Sequence, residues 1–232
     1  MPTTKHADAP STTANTGCFS LVPASAQQQM YHTLSAMKPL NAANASGAEI
    51  AEIAVCLVIG EKDPVILACP ALGARSARKG IRFTGGRNLR GDGRFEAATI
   101  QAVAALFRDP KLTALVCGGR LDPSEDYRSA FSFAARQRLP ILFLVANSFT
   151  PGRRQQLDLR TLYAEYGIPV FSVEANDAIA AYRVATEALH NARHLRGPCV
   201  IEALTLRGNG VNKTEALRLL QSYMQRHGNW PL

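Results

Sequence analysis

The chain has 232 residues, 47% of them hydrophobic and 19% charged, which suits one soluble globular domain with a sizeable core. No apolar run approaches the roughly 18 residues needed to span a bilayer, and the opening MPTTKHADAPSTTANTG has no apolar core behind its basic residues, so neither a membrane span nor a secretory signal is expected. The net charge of +8 admits a polyanionic partner, although such an excess more often does no more than keep a surface solvated.

Residues 1–26, rich in Thr, Ala, Ser and Pro, read as a flexible tail, and residues 27–232 as a single domain. From Gln27, Met30, Tyr31, Leu34 and Met37 recur at helical spacing. GAEIAEIAVCLVIG, from Gly47, repeats the pattern with Ile50, Ile53, Ala54 and Leu57 on one face. PVILAC, from Pro64, has the length and character of a short strand. Residues 70–94 form a basic Gly/Arg-rich loop, and FEAATIQAVAALF, from Phe95, an Ala-rich helix.

Thereafter LTALVC (from Leu112) predicts a strand, SEDYRSAFSFAARQR (from Ser124) a helix, and PILFLVA (from Pro140) a buried parallel strand. QLDLRTLYAEYG, from Gln156, ends on Gly167, a natural helix stop. PVFSV, NDAIAAYRVATEALHNARHL and PCVIEALTL follow as strand, helix and strand, with Asn176-Asp177 placed to cap the helix. Asn212 and Glu215 have capping-box spacing ahead of a last helix carrying Leu217, Leu220 and Tyr223. Strands alternating with helices imply βαβ units, hence a three-layer α/β/α sandwich around a mainly parallel sheet.

Five cysteines (Cys18, Cys56, Cys69, Cys117 and Cys199) include no CxxC pair, which predicts reduced thiols in a cytoplasmic protein. All but Cys18 sit in apolar stretches, where cysteine acts as a small core residue. His190 and His194 share a helix face at i, i+4 but lack the Glu and third ligand of a zinc site, so they read as solvated helix residues.

The second half carries an ordered set of motifs: Leu139-Pro140, Asn147-Ser148, Tyr166-Gly167-Ile168-Pro169, Val173 through Asp177, and Gly197 through Arg207. In that order they resemble the alpha subunit of the thiamine-diphosphate-dependent 2-oxo acid dehydrogenases of pyruvate and branched-chain type. Gly47-Ala48-Glu49 and Asp63-Pro64-Val65-Ile66 extend the resemblance more weakly into the first half. It covers roughly Met30 to Arg207 and is specific from about Cys117 onward. It implies a thiamine-diphosphate-binding fold and a heterotetramer with a beta-type subunit, the cofactor lying between the chains.

In that family thiamine diphosphate is held through Mg²⁺, which takes hard oxygen ligands in octahedral geometry. The ligands come from a Gly-Asp-Gly after one strand and an asparagine at the end of the next. Aligned on Leu139-Pro140, these positions fall on Gly118, Gly119 and Arg120, and on Ser148 with Asn147 just before it. The carboxylate position is therefore Gly119, and Arg120 sets a fixed positive charge where a dication belongs. Three further family features are altered: Cys69-Pro70-Ala71-Leu72 stands for a Tyr-Arg-x-His stretch, Val211 for a histidine, and the Gly/Arg loop for a longer central segment. Gly91-Asp92-Gly93 reads as a turn.

The resemblance with these losses implies a degenerate, truncated subunit, a pseudoenzyme acting through a beta-type partner or as a homo-oligomer, with no catalytic or metal residue assigned. A second reading is an active oxidoreductase subunit in which Arg120 and the cluster Arg75, Arg78, Lys79, Arg82, Arg87, Arg90 and Arg94 neutralise the diphosphate. A third is polyanion binding by that loop, though Phe83 as its single aromatic argues against nucleic acid.

Overall fold

The computed structural model describes residues 20–37, 48–68, 87–90, 95–120, 127–149, 159–194, 197–206 and 212–230. Helix α1 (Ala24–Ala36) buries Ala26, Gln27, Met30 and Leu34, the face its spacing predicts. Order reaches back further than the expected boundary at residue 26. Val22 is 1% exposed, and the buried Gln27 amide donates to Ser20 Oγ (3.0 Å) and to the Val22 carbonyl (2.7 Å). A glutamine buried in this way fixes the chain before the helix, because its amide would otherwise lack partners.

Helix α2 (Glu49–Val58) departs from its amphipathic reading. Eight consecutive residues, Glu49 to Cys56, are buried. The reason is its place: it packs against α1 and most extensively against α6 (Ala178–His194), and shares a core with Val65, Leu67, Leu115 and Cys117 of the sheet.

The sheet has six parallel strands in the order β2-β1-β3-β4-β6-β5. They are β1 (Pro64–Leu67), β2 (Arg87–Arg90), β3 (Ala114–Arg120), β4 (Ile141–Phe149), β5 (Val170–Glu174) and β6 (Cys199–Leu206). Five were legible as apolar runs. β2 corrects the reading of 70–94 as loop throughout, pairing from Pro64↔Arg87 to Leu67↔Arg90 at the sheet's edge. An edge strand of four residues with charged ends carries no apolar run to betray it. The remaining residues of that segment, including Gly91-Asp92-Gly93, lie outside the described residues, as do Cys18, Cys69, Val211 and the expected tail up to residue 19.

Helices α3 (Phe95–Arg108), α4 (Tyr127–Arg136) and α5 (Leu159–Ala164) cover one face, where Phe95, Phe131 and Tyr163 meet Ile141, Phe143, Val145 and Val200. Helices α1, α2, α6 and α7 (Lys213–Arg226) cover the other, over Leu142, Leu144, Ile201 and Ala203. Both faces of β4 are thus apolar, as a strand buried in a parallel sheet requires. Each fully buried Leu or Phe there contributes about 2 kcal/mol. Helix α5 stops as expected: Gly167 has φ +65, and the Ile168 amide bonds back to the Tyr163 carbonyl (3.1 Å). The three-layer α/β/α sandwich is as expected.

Candidate functional site

The structure brings the aligned positions together. β3 and β4 are neighbours, and β4 runs to Phe149, so Asn147 and Ser148 lie on its last turns of pleat rather than beyond it. The sequence placed the ends of these strands at Cys117 and Ala146. Pairing continues because Gly118 is an extra residue: Cys117 faces Leu144, yet Gly119 faces Val145 and Arg120 faces Ala146. This bulge carries the backbone of the Gly118-Gly119-Arg120 segment to the carboxyl end of the sheet.

Gly118 is required there by a neighbour. A Cβ on it would stand 2.4 Å from Cε2 of Phe95, the first residue of α3. The Phe95 ring also packs on Phe131 and Phe143, with centroids 5.1 and 5.4 Å away. The aromatic cluster accounts for a glycine at this position without any ligand.

Asn147 is held by Glu202, and Glu202 in turn by Ser172, two residues that the sequence alone did not single out. The Asn147 Nδ2 donates to Glu202 Oε1 (2.6 Å), and Ser172 Oγ donates to Glu202 Oε2 (2.7 Å). Glu202 is 5% exposed, in the middle of β6, opposite Ser172 on β5 and Val145 on β4. A carboxyl on a buried strand needs such donors. The signal was present as a lone Glu in the apolar run CVIEALTL. Thr205 Oγ1 adds a long bond to the Asn147 carbonyl (3.4 Å).

The chain leaves β4 toward α5 on one face and leaves β6 toward α7 on the opposite face. Adjacent parallel strands that part in this way open a crevice at their carboxyl ends, the usual ligand position in such sheets. Asn147 and Ser148, paired with Leu204 and Thr205, stand at that point.

Asn176 ties the end of β5 to the start of α7. Its Nδ2 donates to Glu174 Oε1 (3.1 Å), while its Oδ1 accepts from the Asn212 amide (2.8 Å). Burial raises the Glu174 carboxyl above its usual range, partly offset by Asn176. Asp177, and not Asn176, caps α6, accepting from the Ala180 amide (2.9 Å). Asn212 caps α7 through the amides of Thr214 and Glu215. The expected reciprocal half of a capping box is absent: Asn176 takes the Asn212 amide, and Glu215 turns to Arg218 (2.6 and 3.0 Å).

On the other side of β3, Glu52 of α2 is 4% exposed, and its Oε1 has no hydrogen-bond partner among the described residues. Burial, with Glu49 nearby, pushes its carboxyl up to about 8. Burial and the Glu52 charge also raise the thiols of Cys56 and Cys117, and burial takes Cys199 up to about 11. These three cysteines are free and buried, as expected. His190 and His194 lie ring against ring, 4.2 Å between centroids.

As a donor set, Gly118, Gly119, Arg120, Asn147 and Ser148 do not fit a Mg²⁺–diphosphate group. They offer an amide, a hydroxyl and backbone oxygens, with no carboxylate and one guanidinium. No group of three or more His, Cys, Asp and Glu that could hold a metal occurs among the described residues. No helix among them is long and apolar enough to cross a membrane.

Residues 72–216 match the family model for the dehydrogenase E1 component. Among curated relatives, the pyruvate dehydrogenase E1 component subunit alpha of Acholeplasma laidlawii is 29% identical over 118 residues, covering 48% of this chain and 34% of the relative. The 3-methyl-2-oxobutanoate dehydrogenase subunit alpha of Mycobacterium tuberculosis is 32% identical over 120 residues, covering 47% and 33%. A transketolase structure from Campylobacter jejuni superposes with a TM-score of 0.49 at 14% identity, over 88% of this chain and 43% of that one. The matched region spans about a third of the length of these curated relatives. With most of its length under one family model and the expected parallel sheet in place, the chain belongs to the dehydrogenase E1 component family and has its thiamine-diphosphate-binding α/β fold.

Proposed function

We propose that this chain is a non-catalytic, alpha-type subunit that keeps the family's framework without using its cofactor, and acts by pairing with a beta-type chain or with a second copy of itself. One observation carries this reading. The ends of β3 and β4 lie together as a metal–diphosphate site would need, yet Gly119 stands at the carboxylate position and Arg120 beside it. A set of aligned residues with an arginine and no carboxylate suits Mg²⁺ poorly. The Phe95 contact supplies a packing reason for Gly118, and Glu202 occupies the donor group of Asn147. The relatives named as subunits alpha of dehydrogenases support a beta-type partner as the first to test.

Isothermal titration of the chain with thiamine diphosphate, with and without Mg²⁺, tests the reading. No Mg²⁺-dependent heat is expected, alone or with a co-expressed beta-type subunit, and tight Mg²⁺-dependent binding would sink it. Metal-independent binding lost in Arg120→Ala would instead support an active subunit that holds the diphosphate by arginine.

A further inference from the structure

At the amino ends of β3 and β4, on the edge of the sheet opposite the crevice, the surface opens into a groove of about 630 Å³. Its apolar lining includes Pro110, Leu139, Pro140 and Phe107, the last of these 76% exposed. An aromatic ring beside a concave surface can serve as the anchor of a bound segment. The charges lining the groove are all positive: Lys111, Arg138 and Arg193, with no carboxylate among the described lining residues.

The three cations are not equivalent. Arg193 is already engaged, its Nη2 on Asp63 Oδ2 (2.6 Å) and its Nε on Thr113 Oγ1 (3.2 Å). Lys111 and Arg138 are exposed and form no ion pair with a described residue. The nearby Asp109 carboxylate accepts from the backbone amide of Lys111 (3.1 Å). Arg138 has φ 50, a left-handed conformation at the end of α4 where glycine is the favoured residue. Its carbonyl-side neighbour Leu139 bonds back to Ala134 (3.0 Å), so the turn is well formed. The chain therefore keeps a charged side chain where the backbone alone would prefer none, and strain of that kind marks functional positions.

We propose that this groove binds an acidic peptide segment, one apolar side chain seated against Phe107 and Pro140 and flanking carboxylates on Lys111 and Arg138. The volume suits a few residues of peptide. Two cations without an ion pair among the described residues, over a floor of proline and leucine, provide neither the row of phosphate contacts nor the stacking surfaces that nucleic acid binding uses.

A fluorescein-labelled, Glu-rich peptide with a single leucine, titrated against the full chain by anisotropy, reads the binding directly. Its Gln-for-Glu counterpart is the charge control. Saturable binding is expected for the first peptide only, weakened roughly tenfold by Arg138→Gly and by Lys111→Glu. Arg138→Gly relieves the backbone strain, so its thermal midpoint is expected to hold or rise while binding falls. Arg183→Glu, on the exposed face of α6, is expected to leave binding unchanged. No saturable binding, equal binding of the Gln peptide, or equal loss in Arg183→Glu would overturn the assignment. So would tighter, Arg138-dependent binding of a short RNA, or self-association abolished by Arg138→Gly.

Discussion

The ring of Phe95 occupies the space that a side chain on Gly118 would need: a Cβ there would lie 2.4 Å from Cε2 and 2.6 Å from Cδ2. One residue opens α3 and the other forms the bulge of β3. Gly118→Ala is expected to cost about 2 kcal/mol through overpacking. Phe95→Leu in the same chain should return part of that loss, and a double-mutant cycle from urea unfolding measures the coupling. Strict additivity would show that the contact is not the cause.

Glu52 makes stability depend on pH. Its carboxyl is raised to about 8 in the folded chain, from 4.5 as the ordinary value. Between those values the folded state holds a proton that the unfolded state has released. Stability therefore falls as pH rises through this window and levels off above it. Glu52→Gln cannot ionise, so it should be the more stable chain at about pH 8.5, by on the order of 4 kcal/mol, with little difference at about pH 5. Parallel pH profiles for the two proteins, from thermal melts, would remove Glu52 as the source.

Asp63 links three parts of the molecule. Its carboxylate accepts from the Gly60 amide (3.0 Å), the Thr113 amide (2.9 Å) and Arg193 (2.6 Å). Arg193→Ala leaves a buried carboxylate with two donors and is expected to cost about 2 kcal/mol, discounted because the arginine is partly exposed. Asp63→Ala should cost more, since it strips the Thr113 amide of its partner at the start of β3. Chemical unfolding of both variants gives the order, and the reverse order would contradict this account.

Asn176 ties the end of β5 to the start of α7 through the Asn212 amide. Asn176→Ala should cost about 1 kcal/mol and speed amide exchange at Asn212. The Asn212→Ala variant, losing the cap itself, should expose Thr214 and Glu215 to exchange instead. Hydrogen exchange followed by mass spectrometry separates the two patterns. Identical patterns would mean that the two asparagines act as one unit.

The parts of the fold legible in the sequence were those set by local chemistry. Gly167 ended its helix, Asn212 capped the last one, and the apolar runs of β1, β3, β4, β5 and β6 announced a buried parallel sheet. What escaped depended on partners remote along the chain. β2 has no apolar pattern and exists by pairing with β1. The all-round burial of α2 comes from α1, α6 and the sheet, none of them readable from its own periodicity.

The candidate site divides along the same line. Alignment on Leu139-Pro140 located the positions at the ends of β3 and β4, and the register brings them side by side. The role of Gly118 was hidden, because the ring beside it lies more than twenty residues back in the chain. The bonds of Glu202 to Asn147 and Ser172 were hidden as well, since they span 55 and 30 residues.

Glu202, in the middle of β6, ties β4 and β5 to that strand with two short bonds made by the protein's own side chains. Strands tied by side chains as well as by backbone resist sliding past one another at that level of the sheet. Residues at the strand ends can then change one by one without loosening the three strands behind them.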